Sequence, residues 1–133
     1  MASGSAEFPE NVIQYWDTFL GLSPSDNVLG KAQVILVPVP YDSTTSYRTG
    51  ARDGPRAIIT ASRQLEDYDI EFGTELSEVG IYTSPEIGPV ASGPESMSRV
   101  IDQVVRSVAP FGKVIGLIGG EHSITIGSVG ALV

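Results

Sequence analysis

The chain has 133 residues, the size of one domain, with an apolar share of 41% that suffices for a core and a charged share of 18% that argues against disorder. Its formal net charge of −8 disfavours nucleic acid, which needs a basic face, and suits a cationic ligand. It has no cysteine, hence no disulfide framework and no thiolate metal site, and no run approaching the roughly 18 apolar residues that span a membrane. The opening residues show no basic region followed by an apolar one, so no signal peptide is expected, and a cytoplasmic location fits. Neither repeats nor low-complexity segments stand out.

In chain order, residues 1–7 read as a loose tail, and residues 9–20 as a short amphipathic helix with Val12, Ile13, Trp16, Phe19 and Leu20 at helical spacing. Residues 21–31 are rich in turn formers and complete an amino-terminal arm, residues 1–31, ahead of an incomplete α/β domain over 32–133. Residues 32–39 (AQVILVPV) are apolar on both faces, as in a strand inside a parallel sheet. The polar stretch from Tyr41 to Pro55 is long for a connection in such a fold, and at the carboxyl end of a strand it is a candidate binding loop; the alternative is a solvated connection.

Gly54 and Pro55 open a second helix, with Ala57, Ile58, Ala61, Ser62 and Leu65 as its predicted apolar face. Residues 65–73 read as a solvated acidic connector rather than a set of metal ligands. A short strand is expected at 78–82 and a loop at 84–94. The spacing of Met97, Val100, Ile101, Val104, Val105 and Val108 predicts a helix over 94–108 whose stripe covers a sheet, capped by Ser92 or Gly93 and ended by Pro110 and Gly112.

Residues 114–118 form a glycine-bounded apolar run that predicts a buried strand, stopping at Gly119 and Gly120, where the backbone can turn or approach another group closely. Glu121, His122 and Ser123 follow. His122 is the chain's only histidine and stands just past a strand's carboxyl end, where α/β folds bind ligands. Ser123 is a candidate cap for a helix beginning there. Strands alternating with helices imply a parallel sheet, and the loops after Val39 and Ile118 meet if their strands are neighbours. The apolar half-helix at 124–133 and the open sheet edges lead us to expect the front part of a longer chain.

Three stretches together resemble the arginase/agmatinase (ureohydrolase) family, agmatinases most closely. They are Val39-Pro-Tyr-Asp-Ser-Thr-Thr-Ser-Tyr-Arg-Thr-Gly-Ala-Arg-Asp-Gly-Pro-Arg-Ala-Ile58, Leu65-Glu-Asp-Tyr-Asp-Ile-Glu71 and Gly119-Gly-Glu-His-Ser-Ile-Thr125. The resemblance runs from about residue 32 onward, and Glu121 stands where most of the family has Asp. It implies a three-layer α/β/α fold with a parallel sheet, truncated here after about three strands. It also implies a binuclear manganese (Mn2+) site at the carboxyl ends of the strands, where a metal-bridging hydroxide attacks a guanidinium carbon and urea leaves.

By the family motif His122 is a manganese ligand and Glu121 supports the site by orienting rather than binding. Ser123 either caps the helix or touches the site. Asp42, Ser46, Tyr47 and Arg48 are plausible contacts for a small guanidino substrate, whereas Gly50, Gly54 and Pro55 shape the backbone. The complete protein is expected to be a homo-oligomer, with no nucleic-acid or membrane partner. The family takes further ligands from an Asp-Ala-His-x-Asp segment and an Asp-x-Asp segment beyond this one, and neither follows His122. One imidazole does not hold manganese, so the chain alone should be inactive. Two other readings stand beside this one: a naturally short non-catalytic module pairing with a full-length ureohydrolase subunit, and a phosphate-binding turn at residues 119–123, which the charge of Glu121 opposes.

Overall fold

The computed structural model describes residues 6–9, 12–13 and 17–133. In chain order the elements are β1 (Val12–Ile13), β2 (Val34–Val39), α1 (Gly54–Ser62), β3 (Tyr68–Asp69), β4 (Thr74–Glu75), α2 (Leu76–Val79), β5 (Ile81–Thr83), β6 (Glu86–Ile87), α3 (Pro94–Val108), β7 (Val114–Gly119) and α4 (Ile124–Gly130). Among them no helix is long and apolar enough to cross a membrane.

β2 is the centre of a parallel sheet of order β5-β2-β7, which is why its sequence is apolar on both faces. Pairing with β7 runs the whole strand, from Val34 beside Val114 to Val39 beside Gly119. Pairing with β5 covers only Val34 to Leu36. The carboxyl ends of β2 and β7 therefore finish side by side. Right-handed crossovers to opposite sides of β2 put α1 on one face of the sheet and α3 on the other, the three-layer arrangement expected.

The main core forms under α3. Ile35, Val37 and Val39 alternate onto one face of β2 and meet Met97, Ile101, Val104, Val105 and Val108, all buried. Each such side chain contributes about 1.5–3 kcal/mol by leaving water. α3 has the predicted bounds, with Gly93 at its amino cap, and ends in a 3₁₀ turn (Ala109–Phe111) followed by Gly112. α4 packs close against α3 because Gly127 has no side chain; a Cβ there would run into Ile101 and the Ser98 carbonyl.

Several expectations need correction. Of the helix expected at 9–20, residues 10, 11 and 14–16, Trp16 among them, lie outside the described ones. Where the segment is described, β1 is extended and pairs antiparallel with β6, and Phe19–Gly21 is a single 3₁₀ turn. That turn is held by long-range bonds: Phe19 N–H donates to Thr83 Oγ1 and Leu20 N–H to Ser62 Oγ, each at 2.9 Å. The buried face of α1 is Pro55, Ile59 and Ser62; of the predicted set only Ser62 is buried, while Ala57, Ile58, Ala61 and Leu65 are exposed.

The acidic connector contains a small antiparallel hairpin, β3 with β4. Its two aspartates serve local structure: Asp69 accepts the N–H groups of Glu71 and Phe72, and Asp67 accepts the N–H and hydroxyl of Ser77. The strand expected at 78–82 begins later, since Glu78 and Val79 belong to the one-turn helix α2. Within the loop expected at 84–94, Glu86 and Ile87 form β6. β7 is not fully buried; Val114 is 67% exposed and the rest of the strand half-buried, as befits an edge. Ser123 occupies the cap position of α4 but makes no capping bond.

Candidate active site

The register of β2 and β7 builds the site. Gly119 ends β7 level with Val39, and the next residues cross onto the loop after β2. Gly120 lies so close that a Cβ would collide with the Tyr41 carbonyl, the close approach that a glycine permits. Glu121 N–H then donates to Tyr41 O at 2.9 Å, fastening the two loops backbone to backbone. Because the sheet order reverses at β2, this junction is also the topological switch point, where open α/β sheets hold ligands.

An open cleft of ≈ 400 Å³ sits there. One wall is the loop after β2, including Ser46, Tyr47 and Arg48; the other is Glu121, His122 and Ser123. Six of the seven residues singled out from the sequence thus meet in one place, though residues 48 and 121 are far apart in the chain. Tyr47 is 87% exposed, with the Arg48 guanidinium 5.3 Å from its ring centroid, a cation–π distance. His122 is exposed on the cleft.

The seventh residue, Asp42, is buried and does not line the cleft. Its Oδ2 accepts Gly50 N–H at 2.6 Å and Arg52 N–H at 3.3 Å, and its Oδ1 accepts Arg52 Nε at 2.6 Å. Asp42 therefore closes the base of the loop. The Arg52 guanidinium hydrogen bond, aided by the Gly50 and Arg52 N–H groups and opposed by burial, pulls its carboxyl down to about 2.

Glu121 is similarly engaged. Thr44 N–H donates to its Oε2 at 3.0 Å, and the Thr44 and Ser123 hydroxyls both donate to Oε1. Burial pushes this carboxyl up, but the hydrogen bonds from Ser123 and Thr44 outweigh it, and Glu121 titrates below its ordinary range despite the nearby charge of Asp42. Ser123 thus touches the site through Glu121 rather than capping α4. Thr44 and Arg52 were not singled out from the sequence. Both lie in the flagged loop, but nothing in its spacing tells which polar residues turn towards a carboxylate.

Among the described residues no three His, Asp, Glu or Cys side chains come together as a metal-holding group. Of the cleft's nitrogen and carboxylate donors, Glu121 has both oxygens engaged in hydrogen bonds, which leaves the His122 imidazole. One nitrogen does not satisfy manganese, which takes several oxygen and nitrogen ligands. The residues of this chain alone do not fit the metal pair.

Comparison with known proteins agrees with the geometry. A Synechocystis protein named N(1)-aminopropylagmatine ureohydrolase is 44% identical over 110 residues, 76% of this chain and 35% of that protein. The solved agmatine ureohydrolase of Thermoplasma volcanium matches with a TM-score of 0.73 at 32% identity, covering 82% of this chain and 38% of the other. A formiminoglutamase from Trypanosoma cruzi, solved with Mn2+, shares the fold (TM-score 0.71, 23% identity, 87% of this chain and 40% of the other). The chain spans about a third of the length of the curated relatives it matches. The family model described as the arginase family matches residues 32–133, which include the whole parallel sheet and both walls of the cleft; the chain belongs to that family.

Proposed function

We propose that this chain forms the amino-terminal part of an agmatinase-like ureohydrolase, in which water adds to a guanidinium carbon, the bond to the alkyl nitrogen breaks, and an amine and urea leave. The observation that carries this reading is the meeting of His122 with the 44–48 segment in one cleft at the sheet's switch point. Membership of the arginase family supports the hydrolase class. The names of the relatives favour agmatine or N(1)-aminopropylagmatine as substrate, and the net charge of −8 suits these cations.

Within this reading the cofactor is manganese. His122 contributes one ligand, the remaining ligands come from residues outside this chain, and Glu121 orients the turn that carries His122. Ser46, Tyr47 and Arg48 meet the substrate, and Asp42 holds their loop in shape. The complete protein is a cytoplasmic homo-oligomer. The test is urea release by the complete protein with manganese, offered agmatine, N(1)-aminopropylagmatine and arginine in turn. Urea from either amine substrate, well ahead of arginine, is expected; no urea from any of the three overturns the reading.

A second reading draws on the incomplete donor set: a short non-catalytic module that pairs with a full-length ureohydrolase subunit. A native polypeptide no heavier than this chain, copurifying with such a subunit, would favour it.

A further inference from the structure

We propose that Thr44 is a positioning residue, which ties the substrate-facing loop after β2 to the His122 turn after β7 through the Glu121 carboxylate. The identity of the substrate rests on the ureohydrolase reading; the tether rests on geometry alone. Thr44 gives two bonds to one group 77 residues away: its N–H reaches Glu121 Oε2 at 3.0 Å and its hydroxyl reaches Oε1. Ser123 holds the same Oε1 from the other side at 2.5 Å, so the carboxylate is a junction between loop and turn. Hydrogen bonds to a charged acceptor are the stronger kind.

The position of Thr44 matters as much as its bonds. Asp42 closes the loop at its base through Gly50 and Arg52, and Thr44 fixes it two residues further on. Beyond these fixings stand Ser46, Tyr47 and Arg48, exposed over the cleft. Residues so exposed have little packing to hold them; the Tyr41 carbonyl ties the start of the loop to Glu121 N–H, and beyond it the Asp42 closure and the Thr44 bonds set where they stand relative to His122. Without the Thr44 hydroxyl, the N–H bond and the Asp42 closure remain, so the loop stays folded but its tip samples more positions. Only a fraction of those positions accept substrate, and apparent affinity falls by that fraction.

The experiment uses the complete protein with manganese and compares wild type, Thr44→Val and Thr44→Ser. Val keeps the shape and the N–H and removes the hydroxyl; Ser restores the hydroxyl. The expected result for Thr44→Val is a KM raised about tenfold with kcat within about twofold, a loss of loop placement rather than of chemistry, with Thr44→Ser close to wild type. Amide hydrogen exchange supplies a readout independent of turnover. In Thr44→Val it should quicken in residues 44–50 and 120–123 together, with the β2 and β7 amides unchanged. An unmoved KM, a serine variant as impaired as the valine one, or quickening confined to 44–50 overturns the proposal. If the wild-type protein releases no urea, the ureohydrolase reading fails by itself, and the exchange comparison still decides whether Thr44 couples the two loops.

Discussion

His122 and Asp42 show two ways in which a single polar side chain serves a cleft. His122 presents an exposed imidazole at the end of β7, a position that suits a ligand and gives little to the fold. In the complete protein, His122→Ala is expected to lower manganese occupancy and kcat about a hundredfold or more, because losing even an outer partner of a ligand costs ten- to a hundredfold. Metal analysis beside circular dichroism checks this; full manganese content with a normal fold would remove His122 from the site. Asp42 does the opposite, buried and bound to Arg52 and two N–H groups. Its carboxyl is lowered from 3.8 to about 2 on folding, so it stabilises the folded chain above about pH 4 and loses that contribution as the pH falls towards 2. Asp42→Asn should therefore be less stable than wild type near neutrality, with the gap narrowing between pH 4 and pH 2. Thermal unfolding across that range tests it, and a gap that widens on acidification contradicts the assignment.

Among the elements, α3 was the most legible in the sequence and α1 the least, for a physical reason. The stripe of α3 runs unbroken from Met97 to Val108, with charged residues such as Arg99, Asp102 and Arg106 off it, so only one face can be buried. In α1, Ala57, Ile58, Ile59 and Ala61 are apolar in several directions, and the sheet chooses Ile59. β2 and β7 were legible as glycine- and proline-bounded apolar runs, whereas β1, β3, β4 and β6 have two residues each and carry no period to read. In the candidate site, position along the chain pointed to His122 and to the loop after β2, which line one cleft. The partners of Glu121 and Asp42 were hidden, because which hydroxyl or arginine reaches a carboxylate depends on turns the pattern does not encode. Packing of α4 on α3 gives a sharper test. Gly127→Ala places a methyl against Ile101 and the Ser98 carbonyl, and overpacking of this kind costs about 1–3 kcal/mol. Denaturant unfolding should show that loss; an unchanged midpoint would mean that α4 shifts away freely.

At the scale of the whole molecule, the described residues supply both walls of a cleft and no group of three metal-holding side chains. Purified by itself it should bind manganese weakly and release no urea from agmatine, as seen by calorimetric titration and a urea assay; turnover by this chain alone would refute the donor count. The long separation between the cleft's walls has a consequence in time. The partners Thr44 and Glu121 are 77 residues apart, so at about 5–20 residues per second the ribosome delivers the second wall roughly 4–15 s after the first. Throughout that interval the loop after β2 stands in water with its eventual acceptor not yet made. Its serines, threonines and arginines tolerate such a wait, where an apolar loop would recruit the nearest sticky surface. The polarity of this loop thus serves the nascent chain as well as the finished cleft.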